Sequence, residues 1–307
     1  MSVRTDNNFI MGNLCALGCE ILYGLSYVFT KQATNSASWL GLLGWRFFIA
    51  ALVINICVFA GLIKINLRGR SIRPILKLAL FFPVIYFTGE TMGIRLTTAS
   101  ESGVFIACIP VISLIMSALI LRKKPAKNQT AGVLTALAGV IITVFAVGTG
   151  ASLSKSGYIC LTIAVFSFAY YSVLVEKNSE YTGWELTYVM LMTGAAVFCA
   201  AALIEAGAHG ETGELLRLPF RNRDFLTAVL YQGIGCSIAA FFLTNMAISK
   251  VGVNRMSSYI GVCTVVSIIS GTLVLHESFT AYQIIGAVVI VAGVYVANGI
   301  GKSVKRE

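Results

Sequence analysis

Charge is scarce in this sequence: Asp, Glu, Lys and Arg together make up 12% of the 307 residues, where a soluble domain carries about a quarter. A chain so poor in charge cannot cover itself with polar surface, which excludes an ordinary water-soluble globule. Only two histidines occur, His209 and His276, and neither falls at the centre of an apolar run. The eight cysteines, at positions 15, 19, 57, 108, 160, 199, 236 and 263, form no CxxC pair and no Cys/His set. A metal site, or a nucleophile and base arranged for catalysis, therefore has no residues to be built from. Small apolar packing is the role left to the cysteines. No glycine-rich phosphate loop is present, which argues against direct ATP hydrolysis. The repeated filters or charged rings of ion pores are also missing. No small-residue cleavage site follows a basic leader, so the first apolar run reads as a retained helix.

What the chain has is apolar length. Hydrophobic residues make up 57% of it and the mean hydropathy is +0.83. A membrane-crossing helix needs roughly 20 mostly apolar residues, about twice what a barrel strand needs. Stretches of that length recur at about 10 to 30, 39 to 63, 74 to 95, 101 to 122, 128 to 147, 157 to 176, 184 to 206, 225 to 248, 254 to 275 and 281 to 301. The expected fold is an all-α integral membrane protein with ten transmembrane helices, because hydrocarbon requires each backbone to satisfy itself. The net charge of +10 follows the connections between these stretches rather than a nucleic-acid surface. With the N-terminus inside, 16 of the 23 basic residues fall on the inner side, among them Lys64, Arg68, Arg122, Lys123, Lys124 and Lys250. That asymmetry predicts a multi-pass protein of the cell membrane with both termini cytoplasmic.

The sequence also resembles itself. Shifted by 145, Gly12, Cys15, Val28 and Trp39 meet Gly157, Cys160, Val173 and Trp184. Shifted by 154, Ile106, Val111, Ser113, Gln129, Gly132, Gly139 and Val140 meet Ile260, Val265, Ser267, Gln283, Gly286, Gly293 and Val294. The change of offset places an insertion in the polar stretch from Glu205 to Asp224. Two repeats result, 9–148 and 157–301, each of five helices. An odd number of crossings starts the second repeat on the opposite side, so the repeats are inverted. Inverted repeats are the usual construction of secondary transporters, with a site near the midplane and alternating access.

Several motifs carry a family resemblance over nearly the whole chain. LYGLSYVFTK (22–31) is similar to a Trp-Gly-x-x-Phe segment, with Tyr23 in place of Trp, and WRFFIA (45–50) to an Arg-Phe-x-x-Ala opening. GIRLTTASESGVFIACIPV (93–111) resembles a small-residue turn followed by a helix with a central Pro, and HESFTAYQIIGAVVIVAGV (276–294) resembles the ending of a repeat. Together they resemble the ten-helix EamA transporters of the drug/metabolite transporter superfamily. Lys123 where the second half has Glu277, and acidic Glu90, depart from that pattern. The resemblance implies a secondary transporter, with export of amino acids, related metabolites or toxic compounds as the expected activity. A lipid or amphiphile flippase and a membrane sensor without transport are the alternatives. No enzyme activity, cofactor or nucleic-acid partner is expected. The expected partners are a small-molecule substrate, the bilayer and, as an open question, protons; monomer and homodimer both remain open.

An ionisable side chain inside a span is costly and faces a cavity or a partner. Glu20 lies near the middle of the first span, too short to reach water. It is the first candidate, as a proton carrier, as the partner of a cationic substrate group, or as a structural tie between helices. Tyr23 and Tyr27 share its helix face by their spacing. Arg46 enters the second span about seven residues deep, where its planar fork suits a substrate carboxylate or a structural tie to Glu90. Glu90, five residues before Arg95, stands either at an external mouth or at a solvated helix end. Tyr171, Asn245 and Tyr259 add polar tips from later spans as candidate substrate contacts. Pro110 interrupts the fourth span as a candidate hinge. Gly132, Gly139, Gly286 and Gly293 have the spacing of close helix packing.

Overall fold

A computed structural model describes residues 2–33, 37–96, 105–145, 154–178, 180–275 and 281–298. Among them the regular structure is helical, with no strand. In chain order the helices are α1 (Ser2–Ala33), α2 (Trp39–Phe59), α3 (Arg73–Ala79), α4 (Tyr86–Leu96), α5 (Ile109–Ile120), α6 (Lys127–Phe145) and α7 (Lys155–Lys177). They continue with α8 (Gly183–His209), α9 (Thr212–Arg221), α10 (Arg223–Leu230), α11 (Phe241–Val251), α12 (Val253–Ser258), α13 (Ile260–Leu275) and α14 (Ala281–Asn298). A π-helical segment, Leu80–Ile85, joins α3 to α4, and another, Tyr231–Ala240, joins α10 to α11.

Six helical stretches among the described residues are long and apolar enough to cross a membrane: Asn7–Ser26, Trp39–Phe59, Arg73–Gly93, Lys155–Lys177, Gly183–His209 and Arg223–Val251. Shorter apolar helices cover Phe105–Ile120 and Ile284–Asn298. Large apolar side chains such as Phe59, Leu119, Ile204 and Leu273 stand outward, more than two-thirds exposed, a surface that water would not tolerate in this quantity and lipid does. The chain is thus a multi-pass membrane protein.

The helix ends are written in the sequence. Ser38 caps α2 by accepting from the Gly41 N–H at 3.0 Å, and Ser154 caps α7 by accepting from Gly157 at 3.2 Å. Thr182 and Glu185 form a reciprocal capping box at the start of α8. Gly210 closes α8 in the left-handed region, φ 74°. The polar connection from Glu205 to Asp224, expected as an insertion, holds the helix α9 with Leu216 and Phe220 on its exposed surface. Trp45 ties it to α2 by donating to the Leu215 carbonyl at 2.9 Å.

The helices pack in recurring pairs: α6 lies along α14, α2 along α8, α4 along α7, α11 along α1, α5 against α7 and α13 against α1. The α6–α14 seam is a contact between backbones. A Cβ on Gly132 would sit 2.3 Å from the Ala297 nitrogen, and one on Gly293 would sit 2.4 Å from the Ala136 nitrogen. Glycine is required there because no side chain fits.

Candidate functional site

Two interruptions set the interior. Pro83 has no N–H to give and its ring crowds the preceding turn, so the third span opens into its π segment with Phe82 extended, φ −139° and ψ 111°. The Phe81 carbonyl is satisfied by the Ser167 hydroxyl of α7, which donates at 2.7 Å. Between α10 and α11, Tyr231 of the second π segment donates to the Leu22 carbonyl of α1 at 2.9 Å. Such bulges re-aim side chains and are frequent at functional sites.

Phe82, freed from the helical path, is buried at the centre of an aromatic cluster. Its ring stacks on Tyr171 with centroids 4.7 Å apart and meets Phe241 at 4.8 Å, Tyr86 at 5.1 Å and Phe168 at 5.3 Å. The fully buried Tyr171 hydroxyl donates to Asn245 Oδ1 at 2.7 Å, and Asn245 Nδ2 donates to Thr187 Oγ1 at 3.2 Å. This polar chain crosses from α7 through α11 to α8 with each buried group partnered, as low-dielectric surroundings demand.

Glu20 is 3% exposed. Its carboxylate meets the Cys19 thiol at 3.8 Å, and among the described residues no cation stands within ion-pair distance of it. One turn on, the buried hydroxyls of Tyr23 and of Thr244 on α11 lie beside each other and close to the Cys19 thiol, and among the described residues neither makes a well-formed hydrogen bond. Tyr171 and Cys236 lie within electrostatic reach of Tyr23. The side chain of Tyr27 lies outside the described residues.

Arg46 is also buried, at 7% exposed. Its Nε donates to Ser237 Oγ at 2.8 Å, and its guanidinium lies over the Phe87 ring at 4.4 Å. No ion pair joins it to Glu90; the carboxylate of Glu90 instead accepts from the Tyr86 hydroxyl at 2.8 Å and remains within electrostatic reach of Arg46. Cys263 is within such reach of both Glu20 and Glu90. Glu20, Tyr23, Tyr171 and Asn245 therefore share one region. Arg46 and Glu90 adjoin it through Phe87, whose ring is 5.4 Å from that of Phe82.

Tyr259 lies apart, donating to Asn13 Oδ1 at 3.1 Å, two turns before Glu20 on α1. Pro110 occupies the first turn of α5, directly after a turn at Cys108. Sequence reasoning missed Ser237, Thr244 and Thr187, single small polar residues inside apolar runs. It also missed Pro83, whose place in the middle of a span was the available signal.

A cleft of about 640 Å³ opens at the end of the molecule that carries Lys123, Lys124 and Lys250. Lys123 pairs there with Glu176 of α7. The other Glu176 oxygen accepts the Val253 N–H at 2.7 Å, just past Gly252 with its φ of 80°. Lys250 donates to Asn8 Oδ1 at 2.7 Å. No group of three His, Cys, Asp or Glu among the described residues is placed to hold a metal.

The model of the EamA-like transporter family matches residues 10–145 and again 155–299. A Bacillus subtilis protein named Uncharacterized transporter YcxC is 32% identical over 296 residues, 95% of each chain. A Salmonella typhimurium protein named Probable amino-acid metabolite efflux pump is 23% identical over 298 residues, again 95% of each. WAT1-related protein At5g13670 of Arabidopsis thaliana is 25% identical over 90% of this chain and 81% of its own. A solved crystal structure at 18% identity superposes with a TM-score of 0.74, covering 94% of this chain and 99% of that one.

Proposed function

The chain belongs to the EamA-like transporter family, and from that premise we propose that it is a secondary exporter of amino acids or related small metabolites, working by alternating access. It is a membrane transporter and not an enzyme. The protein crosses the membrane ten times, as two inverted five-helix repeats, 9–148 and 157–301, with both termini in the cytoplasm.

Four observations support that architecture. Helices lie over each of the ten expected stretches. The two family matches begin at 10 and 155 and end at 145 and 299, the offsets of 145 and 154 that the sequence self-alignment needs. Both π segments, Leu80–Ile85 and Tyr231–Ala240, fall in the third helix of their repeat and overlap at the second offset. The pairing of α4 with α7 has its mate in α11 with α1, and α5 with α7 in α13 with α1.

The observation that carries the transport reading is Glu20: a carboxyl group buried in the first span with no cation within ion-pair distance among the described residues, beside the buried hydroxyls of Tyr23 and Thr244, which make no well-formed hydrogen bond there. Unsatisfied polar groups are rare in native interiors, and a substrate bearing an ammonium and a hydrogen-bonding tip supplies what all three lack. Glu20 binds that cationic group or the exchanged proton, with Tyr23 and Tyr27 along the same helix. Arg46 holds a carboxylate, and Tyr171 and Asn245 form the opposite wall. Glu90 and Tyr259 line the approaches, and Pro110 provides a hinge.

Counterflow in proteoliposomes against amino acids, amines, nucleobases and aromatic drugs, with and without a pH gradient, tests this. Saturable exchange of amino acids is expected. Its absence from folded, inserted protein overturns the reading and favours lipid movement.

A further inference from the structure

Most polar groups around the lysine-bearing cleft are satisfied within the protein. Gln129 accepts from the Ala126 N–H at 3.0 Å, Ser249 donates to the Met246 carbonyl at 2.9 Å, and Glu176 uses both oxygens. Two are not. Ser117 lines the cleft, is fully buried at 0% exposure, and its hydroxyl has no partner among the described residues. Asn254 also lines it, and its side-chain oxygen is buried without a donor among the described residues. Lys124 forms no ion pair among the described residues. Three lysines against one glutamate leave the cleft with two unbalanced positive charges.

These features specify a ligand from two directions. Excess positive charge selects an anionic group, which the ammonium groups of Lys124 and Lys250 can meet. The Asn254 oxygen accepts only, so it selects a hydrogen-bond donor, N–H or O–H, and the ammonium of an amino acid supplies one beside its carboxylate. A simple anion leaves Asn254 unsatisfied, and a simple amine is repelled by the lysines. We propose that this cleft is a second binding site, separate from the Glu20 region, that takes the zwitterionic end of an α-amino acid: carboxylate to Lys124 and Lys250, ammonium to Asn254. The volume of about 640 Å³ lies within the range of small-molecule pockets. The inference deepens the transport reading and rests on it for the role of the cleft as a vestibule on the substrate's path, though not for binding itself.

Hydrogen exchange of the full-length protein in phosphatidylcholine nanodiscs tests it, read over residues 112–129 and 248–258. The probes are an equimolar mixture of the twenty amino acids, the matching carboxylic acids, the matching amines, and inorganic phosphate. Amino acids should slow exchange in both segments, at about tenfold lower concentration than the carboxylic acids, the value of one charged hydrogen bond. Asn254→Leu should erase that preference, and Lys124→Gln should raise the half-protecting concentration of both classes. Three outcomes overturn the proposal: no slowing by any probe, equal slowing by phosphate, or slowing only when phosphatidylglycerol replaces the neutral lipid. Counterflow with the same amino-acid mixture separates the two claims. Protection without counterflow keeps the site and removes the transport reading; counterflow without protection does the reverse.

Discussion

Replacing Gly293 with alanine should destabilise the protein although it adds one methyl group at a position on an outer helix. The new Cβ would stand 2.4 Å from the Ala136 nitrogen, 2.7 Å from the Gly132 carbonyl oxygen and 2.8 Å from the Ala136 Cα. Ordinary contact begins near 3.4 Å, so α6 and α14 must separate by about 1 Å. All three obstructing atoms are main chain, and no rotamer change relieves them. Overpacking of this kind costs about 1–3 kcal/mol, against a gain of about 0.5–1 kcal/mol from replacing glycine by alanine within a helix. With three main-chain atoms in the way the cost falls at the upper end, so a net loss of about 2 kcal/mol follows, read as a fall of a few degrees in the midpoint of thermal unfolding in detergent. Gly235→Ala is the control, since its nearest neighbour is a Tyr231 ring carbon at an ordinary 3.5 Å; it should be neutral or stabilising. Equal midpoints for Gly293→Ala and the control would refute the claim that the seam is a backbone contact.

Tyr171→Phe removes the one proton among the described residues that reaches Asn245 Oδ1, and the buried oxygen left behind should lower stability by about 1–3 kcal/mol, measured in the same melt; Tyr171→Phe with Asn245→Leu should recover part of the loss. Glu20→Gln, folded and inserted, should abolish the response of counterflow to a pH gradient, and an unchanged response sinks the role given to Glu20. Arg46→Lys loses the planar contact over Phe87 and the Nε donor to Ser237. It should weaken carboxylate substrates by about tenfold or more relative to neutral analogues; equal losses identify Arg46 as a structural tie.

Some of this was legible before any coordinate. Lengths of apolar run predict helices, and the spacing of Gly132 and Gly139 against Gly286 and Gly293 predicts the seam, because both depend on chemistry local to one segment. The depth of Glu20 could likewise be counted from the ends of its run. What escaped were properties of two segments at once. Charge alone offers Arg46 a substrate carboxylate or Glu90, and its contacts with Ser237 and Phe87 come from other segments, since a planar cation in an apolar interior gains from an aromatic face as well as from a carboxylate. Ser237, Thr187 and Thr244 look like ordinary small residues until the packing buries them. The Lys123–Glu176 pair joins residues 53 apart in sequence, so no periodicity reveals it. Pro83 is the exception, a local signal of a break whose consequence, the placement of Phe82 against Tyr171, needed the neighbouring helix.

The backbone seam between α6 and α14 also bears on how this protein can drift. Where two side chains touch, a bulky change on one helix can be absorbed by a smaller residue on the other, and such pairs leave correlated substitutions among descendants. At Gly132 and Gly293 the obstacle facing each position is main chain, which no substitution opposite can shrink. Each glycine is held in place on its own account, so two of the most intimately apposed positions in the molecule should be nearly silent in any covariation map.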